Sequence, residues 1–187
     1  MLGLLSVSGY AQNPQSLVPI DAPLREVFQQ VTADARVMTS LQQIEEREPE
    51  TVREQFRITE VPAPPFKEER RAAYFLELMR ARGLDDAYID SEGNAIGIRK
   101  GTGNGPTLLI AAHLDTVFPE DVDTRVQLRA GRYYAPGIGD DSRGLAALLS
   151  VIDVFNESGI ATVGDIMFTG NVGEEGRGDL RGIKAIF

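Results

Sequence analysis

Residues 107–115 read Thr-Leu-Leu-Ile-Ala-Ala-His-Leu-Asp. The first six are apolar or β-compatible and of strand length, which predicts a strand buried on both faces, as in a sheet covered by helices. His113 and Asp115 follow at once. In extended chain, residues i and i+2 project to the same side, so both side chains can point at one spot. Taken alone, the pair also fits a lone histidine beside a loop aspartate.

Downstream, residues 144–155 place Leu145, Leu148, Leu149, Ile152 and Phe155 on one helical face, and residues 165–169 form a second apolar strand. Strand, helix, strand in that order implies an α/β fold: a mixed, mainly parallel sheet flanked by helices. Upstream, residues 21–58 are helical in pattern. Pro23 suits a first helical turn, Val27, Phe28 and Val31 share a face, and a second stretch carries Val37, Met38, Leu41 and Ile44. Pro49 separates it from a third stretch around Val52 and Phe56, and Val-Pro-Ala-Pro-Pro at 61–65 breaks the pattern. Residues 66–82 form a strong helix with Ala72, Phe75, Leu76 and Met79 inward and Gly83 just beyond its end. Short strands are predicted at 87–90 and 95–99, joined by a turn at 91–94. Gly-Thr-Gly-Asn-Gly-Pro at 101–106 leads into a strand rather than a helix, so it reads as a turn and not as a phosphate loop.

Composition narrows the chemistry. The 187 residues are 42% hydrophobic and 25% charged, with 28 acidic and 19 basic side chains and a formal net charge of −9. Such an acidic chain is a poor partner for nucleic acid. With no Cys and one His, disulfide frameworks, thiol nucleophiles and multi-histidine metal sites are excluded unless carboxylates complete the ligand set. Residues 1–11, Met-Leu-Gly-Leu-Leu-Ser-Val-Ser-Gly-Tyr-Ala, form a short apolar run ending in small residues, too short to span a bilayer. Residues 1–20 are expected to be a signal-peptide remnant and linker, which points to a periplasmic or secreted protein; a loosely packed arm in a cytoplasmic one is the alternative.

Three acidic clusters stand at the ends of predicted strands or the start of the following helix: His113-Leu114-Asp115, Asp140-Asp141-Ser142 after Gly139, and Glu174-Glu175 between Gly173 and Gly176. Each has a plain structural explanation: a loop pair, a helix N-cap and a solvated loop tip. Together they occupy the carboxyl ends of strands, where open α/β sheets bind ligands. One imidazole with several carboxylates suits Zn²⁺, Mn²⁺ or Co²⁺.

The ordered strings Ala-His-Leu-Asp-Thr-Val at 112–117, Gly-Ile-Gly-Asp-Asp-Ser-Arg-Gly at 137–144 and Gly-Asn-Val-Gly-Glu-Glu-Gly at 170–176 resemble the M20 family of metallopeptidases over roughly residues 62–187. The resemblance implies an amide or peptide hydrolase with two divalent metal ions, zinc first, with cobalt or manganese as alternatives. It implies a small peptide or N-acyl amino acid substrate, aminopeptidase-like or deacylase-like, and a homodimer for the full-length form. By the same resemblance His113 binds one metal, Asp115 orients His113, Asp140 bridges both metals, Glu174 is the general base and Glu175 binds the second metal. It also implies a cis peptide between Asp140 and Asp141; Ser142 stands where the family pattern has Lys. The pattern calls for another acidic ligand and a second His beyond Glu175, but Asp179 lies too close and no His follows. Residues 21–187 are therefore expected to be a partial catalytic domain lacking the lid or dimerisation domain. Such a chain, with two protein ligands per metal, is expected to bind metal weakly and hydrolyse little. A non-catalytic α/β binding module with solvated acidic loops is the alternative.

Overall fold

A computed structural model describes residues 21–84 and 86–187. The secretory reading of residues 1–11 lies outside that set. The chain divides into two units, Met1–Asp34 and Ala35–Phe187. The described part of the first unit is helix α1 (Ala22–Ala33), with Pro23 in its first turn and none of its residues buried.

The second unit opens with α2 (Ala35–Glu46) and α3 (Glu48–Thr59), separated where Pro49 enters the first turn of α3. Residues 61–68 hold neither helix nor strand and lead into α4 (Glu69–Arg80). Then come β1 (Ala87–Ile89), β2 (Ala95–Arg99), β3 (Leu108–His113), β4 (Gln127–Arg129), β5 (Arg132–Tyr134), α5 (Ser142–Ser158), β6 (Ile166–Asn171) and α6 (Arg181–Ile186). The turn between β1 and β2 is built by Asp90, whose carboxylate accepts the amides of Glu92, Gly93 and Asn94.

The main sheet has the order β1-β2-β6-β3. The α/β class and the mixed sheet are as expected. The mainly parallel pairing is not: β3 and β6 run parallel, but β2 is antiparallel to both β1 and β6. The cause is the tight turn at Asp90, which permits only a hairpin, whereas α5 carries the chain back to start β6 beside β3. Helices α4 and α5 both contact the sheet and each other, forming one helical layer of the expected arrangement, with α2 and α3 packed on α5.

The core lies between that layer and the sheet. Phe75, Leu76 and Met79 of α4 meet Leu145, Leu148, Leu149 and Ile152 of α5 over Ile166 and Phe168 of β6. These are the inward positions that helical periodicity predicts. Gly170 of β6 is part of the fit: a Cβ there would stand 2.8 Å from Cδ1 of Phe75. The 107–112 run is a correction. Ala112 joins the core, but Leu108 is 57% exposed and Ala111 is exposed. β3 is the edge of the sheet among the described residues, so its side chains lack neighbours on one side. The separate hairpin β4–β5 is not foreseen from sequence; its three-residue strands are exposed throughout.

Candidate metal centre

Parallel pairing brings the acidic clusters together. His113 ends β3 opposite Asn171, which ends β6. The Leu114 amide continues the ladder by donating to the Asn171 carbonyl at 2.7 Å. The two chains therefore leave the sheet side by side, one carrying Asp115 and the other Gly173, Glu174 and Glu175. The N-terminus of α5 closes the third side: an Asp141 carboxylate oxygen accepts the His113 amide at 3.2 Å.

The two adjacent aspartates divide their work. Asp141 is the N-cap of α5, accepting the Gly144 amide at 2.9 Å. That uses up its carboxylate in structure, as capping chemistry predicts. Asp140 caps nothing; its side chain is 76% exposed and one oxygen lies 2.8 Å from His113 Nε2. The peptide joining Asp140 and Asp141 is cis.

Asp115 is fully buried. Its carboxylate accepts the Glu174 amide at 3.0 Å and the Glu175 amide at 2.8 Å. It therefore clamps the second acidic loop as well as facing His113, with one oxygen 3.5 Å from Nδ1. The nearer partner of Nδ1 is the Asp115 backbone carbonyl at 2.9 Å. Both contacts hold the proton on Nδ1 and direct Nε2 toward Asp140 and Glu174. A Glu174 oxygen lies 4.0 Å from Nε2.

The loop that carries Glu174 and Glu175 is fixed from below. Gly173 has φ +61 and packs directly on the Arg181 guanidinium, leaving no room for a side chain. Arg181 is paired with the buried Glu68 at 3.0 Å and lies over the Phe66 ring. Sequence reasoning misses Glu68 and Arg181, as it misses Arg71 on α4. Charged residues that serve the interior look like solvated helix residues until the packing is known.

The electrostatics are those of a crowded anionic site. Burial by itself lowers the His113 imidazole, but its bonds to Asp115 and Asp140 and the charges around it outweigh that and raise it to about 9. Burial pushes Asp115 up, yet its bonds to His113 and to the Glu174 and Glu175 amides hold it below the usual carboxylate range. Asp141 is raised, chiefly by burial. Glu175 is raised too, by burial first and then by the Asp140 charge.

One ligand atom each from His113, Glu174 and Glu175 lie within 4.8 Å of one another. That spacing, with Asp140 against the free imidazole nitrogen, fits a borderline divalent cation that takes nitrogen and oxygen ligands. A cleft of about 310 Å³ opens beside it, lined by Val117, Phe118, Ala135, Ile138, Asp140 and Glu175 among others.

An imidazole and carboxylates gathered at the strand ends of an α/β sheet form a group that could hold a metal ion. Residues 109–187 match the sequence profile of Peptidase family M20/M25/M40. A Pyrococcus abyssi protein named as a LysW-lysine/LysW-ornithine hydrolase is 33% identical over 119 residues, which is 64% of this chain and 32% of the relative. Carboxypeptidase G2 of a Pseudomonas species is 34% identical over 84 residues, 44% of this chain and 20% of the relative. Among solved structures, an aminopeptidase from Bacillus cereus superposes with a TM-score of 0.57 at 25% identity, covering 66% of this chain and 36% of that one. The chain spans about a third of the length of the curated relatives it matches.

Proposed function

We propose that this chain carries part of the active centre of a metal-dependent hydrolase that cleaves amide or peptide bonds in small peptides or N-acyl amino acids. The observation that carries the proposal is the convergence of ligand atoms of His113, Glu174 and Glu175 within 4.8 Å of one another, with Asp140 2.8 Å from the His113 imidazole. The relatives named for hydrolysis of amino-acid conjugates and for carboxypeptidase and aminopeptidase activity support the same class.

In this reading His113 Nε2 and Asp140 would hold one divalent ion, and Asp140 and Glu175 would hold a second, with zinc the first choice. When bound, such ions polarise the scissile carbonyl and acidify the attacking water. The protein's own groups do the rest. Asp115 keeps the His113 proton on Nδ1, so that Nε2 presents a lone pair once the imidazole is neutral. Glu174 has a side chain 41% exposed, and it takes the proton of the attacking water and returns it to the leaving amine. The apolar wall at Val117, Phe118 and Ile138 receives the substrate beside them. Two protein ligands per ion is fewer than the three usual at a catalytic zinc. With that ligand set the described residues bind metal weakly and hydrolyse little by themselves. Among the described residues no helix is long and apolar enough to cross a membrane. A periplasmic or secreted location is part of the proposal and rests on residues 1–11.

Calorimetry with Zn²⁺ tests this. Weak binding that disappears in Asp140→Ala and Glu175→Ala supports the proposal. Binding that is unchanged in both variants removes Asp140 and Glu175 from the site. Tight two-metal binding by the 187 residues overturns the partial-centre reading.

A further inference from the structure

Arg71 sits in the first turn of α4 with its side chain completely buried. A buried cation is costly unless its donors are satisfied. Here the fork is spent on three backbone carbonyls from two segments. Nε donates to Val61 at 2.8 Å, one terminal nitrogen to Leu114 at 2.8 Å, and the other to Thr59 at 3.3 Å. Burial pulls the guanidinium down to about 10, with the Asp115 carboxylate favouring the cation, so it is charged at neutral pH.

The Leu114 contact is the informative one. Leu114 lies between His113 and Asp115, and its peptide is held on both sides: its amide donates to Asn171, and its carbonyl accepts from Arg71. Rotation of that residue would swing His113 and Asp115 together. The segment that Arg71 ties down at Thr59 and Val61 also runs along the exit of the loop, where the Thr116 amide donates to the Ala63 carbonyl at 3.0 Å. Asp115, equally buried, holds the Glu174 and Glu175 amides. A chain of contacts therefore runs from the α4 guanidinium through the Leu114 peptide and Asp115 to both glutamates. A lysine would present a point charge and could not span three carbonyls, which is why a planar fork suits this position.

We propose that Arg71 is a positioning residue for the metal centre, holding the Leu114 carbonyl and balancing the Asp115 charge so that His113, Glu174 and Glu175 converge. The proposal rests on the metal-centre reading for its purpose and on the hydrogen-bond geometry for its content. The experiment compares Arg71→Met, Arg71→Lys and the unsubstituted chain, each labelled with ¹⁵N and checked for folding by thermal melting. In folded Arg71→Met the Glu174 and Glu175 amide signals shift and exchange faster, with Arg71→Lys recovering part of the change. Zn²⁺ affinity, measured by chelator competition, falls about tenfold to a hundredfold. Unmoved Glu174 and Glu175 amide signals and unchanged affinity in folded Arg71→Met overturn the proposal. Should the unsubstituted chain bind no Zn²⁺, the metal reading fails and the amide signals still decide the role of Arg71. Should Arg71→Met not fold, exchange of the Arg71 Nε proton in the unsubstituted chain decides: slowing of at least about a hundredfold relative to an exposed arginine supports the proposal, and free exchange overturns it.

Discussion

Raising the pH from 6.5 to 8.5 should tighten Zn²⁺ binding at the centre by about a hundredfold. A metal ligand must be deprotonated, so a proton on His113 competes with the ion. The imidazole is raised to about 9 because its bonds to Asp115 and Asp140, and the carboxylate charges nearby, outweigh the opposing effect of burial. Below that value each pH unit changes the neutral fraction about tenfold, so two units amount to about 2.7 kcal/mol of binding free energy. Chelator competition across the range, with the chelator setting a low free Zn²⁺ concentration, measures the slope. Calorimetry in two buffers of different ionisation enthalpy should show close to one proton released per ion at pH 7.5. In the metal-free chain Asp140→Asn removes one of the interactions that raise His113, so the imidazole should titrate at lower pH when followed by NMR. An affinity flat from pH 6.5 to 8.5 with no proton release would refute the reasoning, because it would mean that His113 is neutral there or does not bind the ion.

The same group acts on folding with a definite sign. The folded value of His113, about 9, lies above the ordinary 6.5, so its contribution is fully present below pH 6.5 and is lost as pH rises through 9. Urea titrations of the metal-free chain should show up to about 3 kcal/mol less stability at pH 9.5 than at pH 6.5 from this source, and His113→Gln should flatten the difference. Leu149→Ala, at a fully buried position on α5, should cost about 2–5 kcal/mol in the same titration. Gly170→Ala forces a methyl to within 2.8 Å of the buried Phe75 ring and should cost about 1–3 kcal/mol; a neutral result would mean that the contact between α4 and β6 is loose. Asp141→Ala removes the α5 cap and should cost about 1 kcal/mol, whereas Glu174→Ala should leave the melting temperature near that of the parent, since its side chain holds no structural bond that Asp115 does not already make through the backbone.

Much of the centre is legible along the chain because its parts are local. Apolar runs at 107–112 and 165–169 announce strands, and acidic residues just beyond them announce strand-end chemistry. In the tertiary structure the capping geometry of α5 occupies Asp141 and leaves Asp140 facing Nε2. Other features depend on what lies across from a residue rather than beside it. Periodicity places the 107–112 run in a sheet but says nothing of its neighbours, so the exposed edge at Leu108 and Ala111 appears only with the strand order. The pairing of β2 against β6 depends likewise on how a hairpin docks on the β3–α5–β6 crossover, a matter of long-range packing.

The sequence by itself determined the elements other than the β4–β5 hairpin, the inward faces of α4 and α5, and the residue types that can hold a divalent ion. Those follow from side-chain chemistry and short-range spacing. Only the tertiary structure decided that Asp115 serves the Glu174 and Glu175 amides as well as His113, that Arg181 underlies Gly173, and that Arg71 reaches the Leu114 carbonyl from another element. These are contacts between segments tens of residues apart. A charged side chain looks the same in sequence whether water or a buried carbonyl receives its protons.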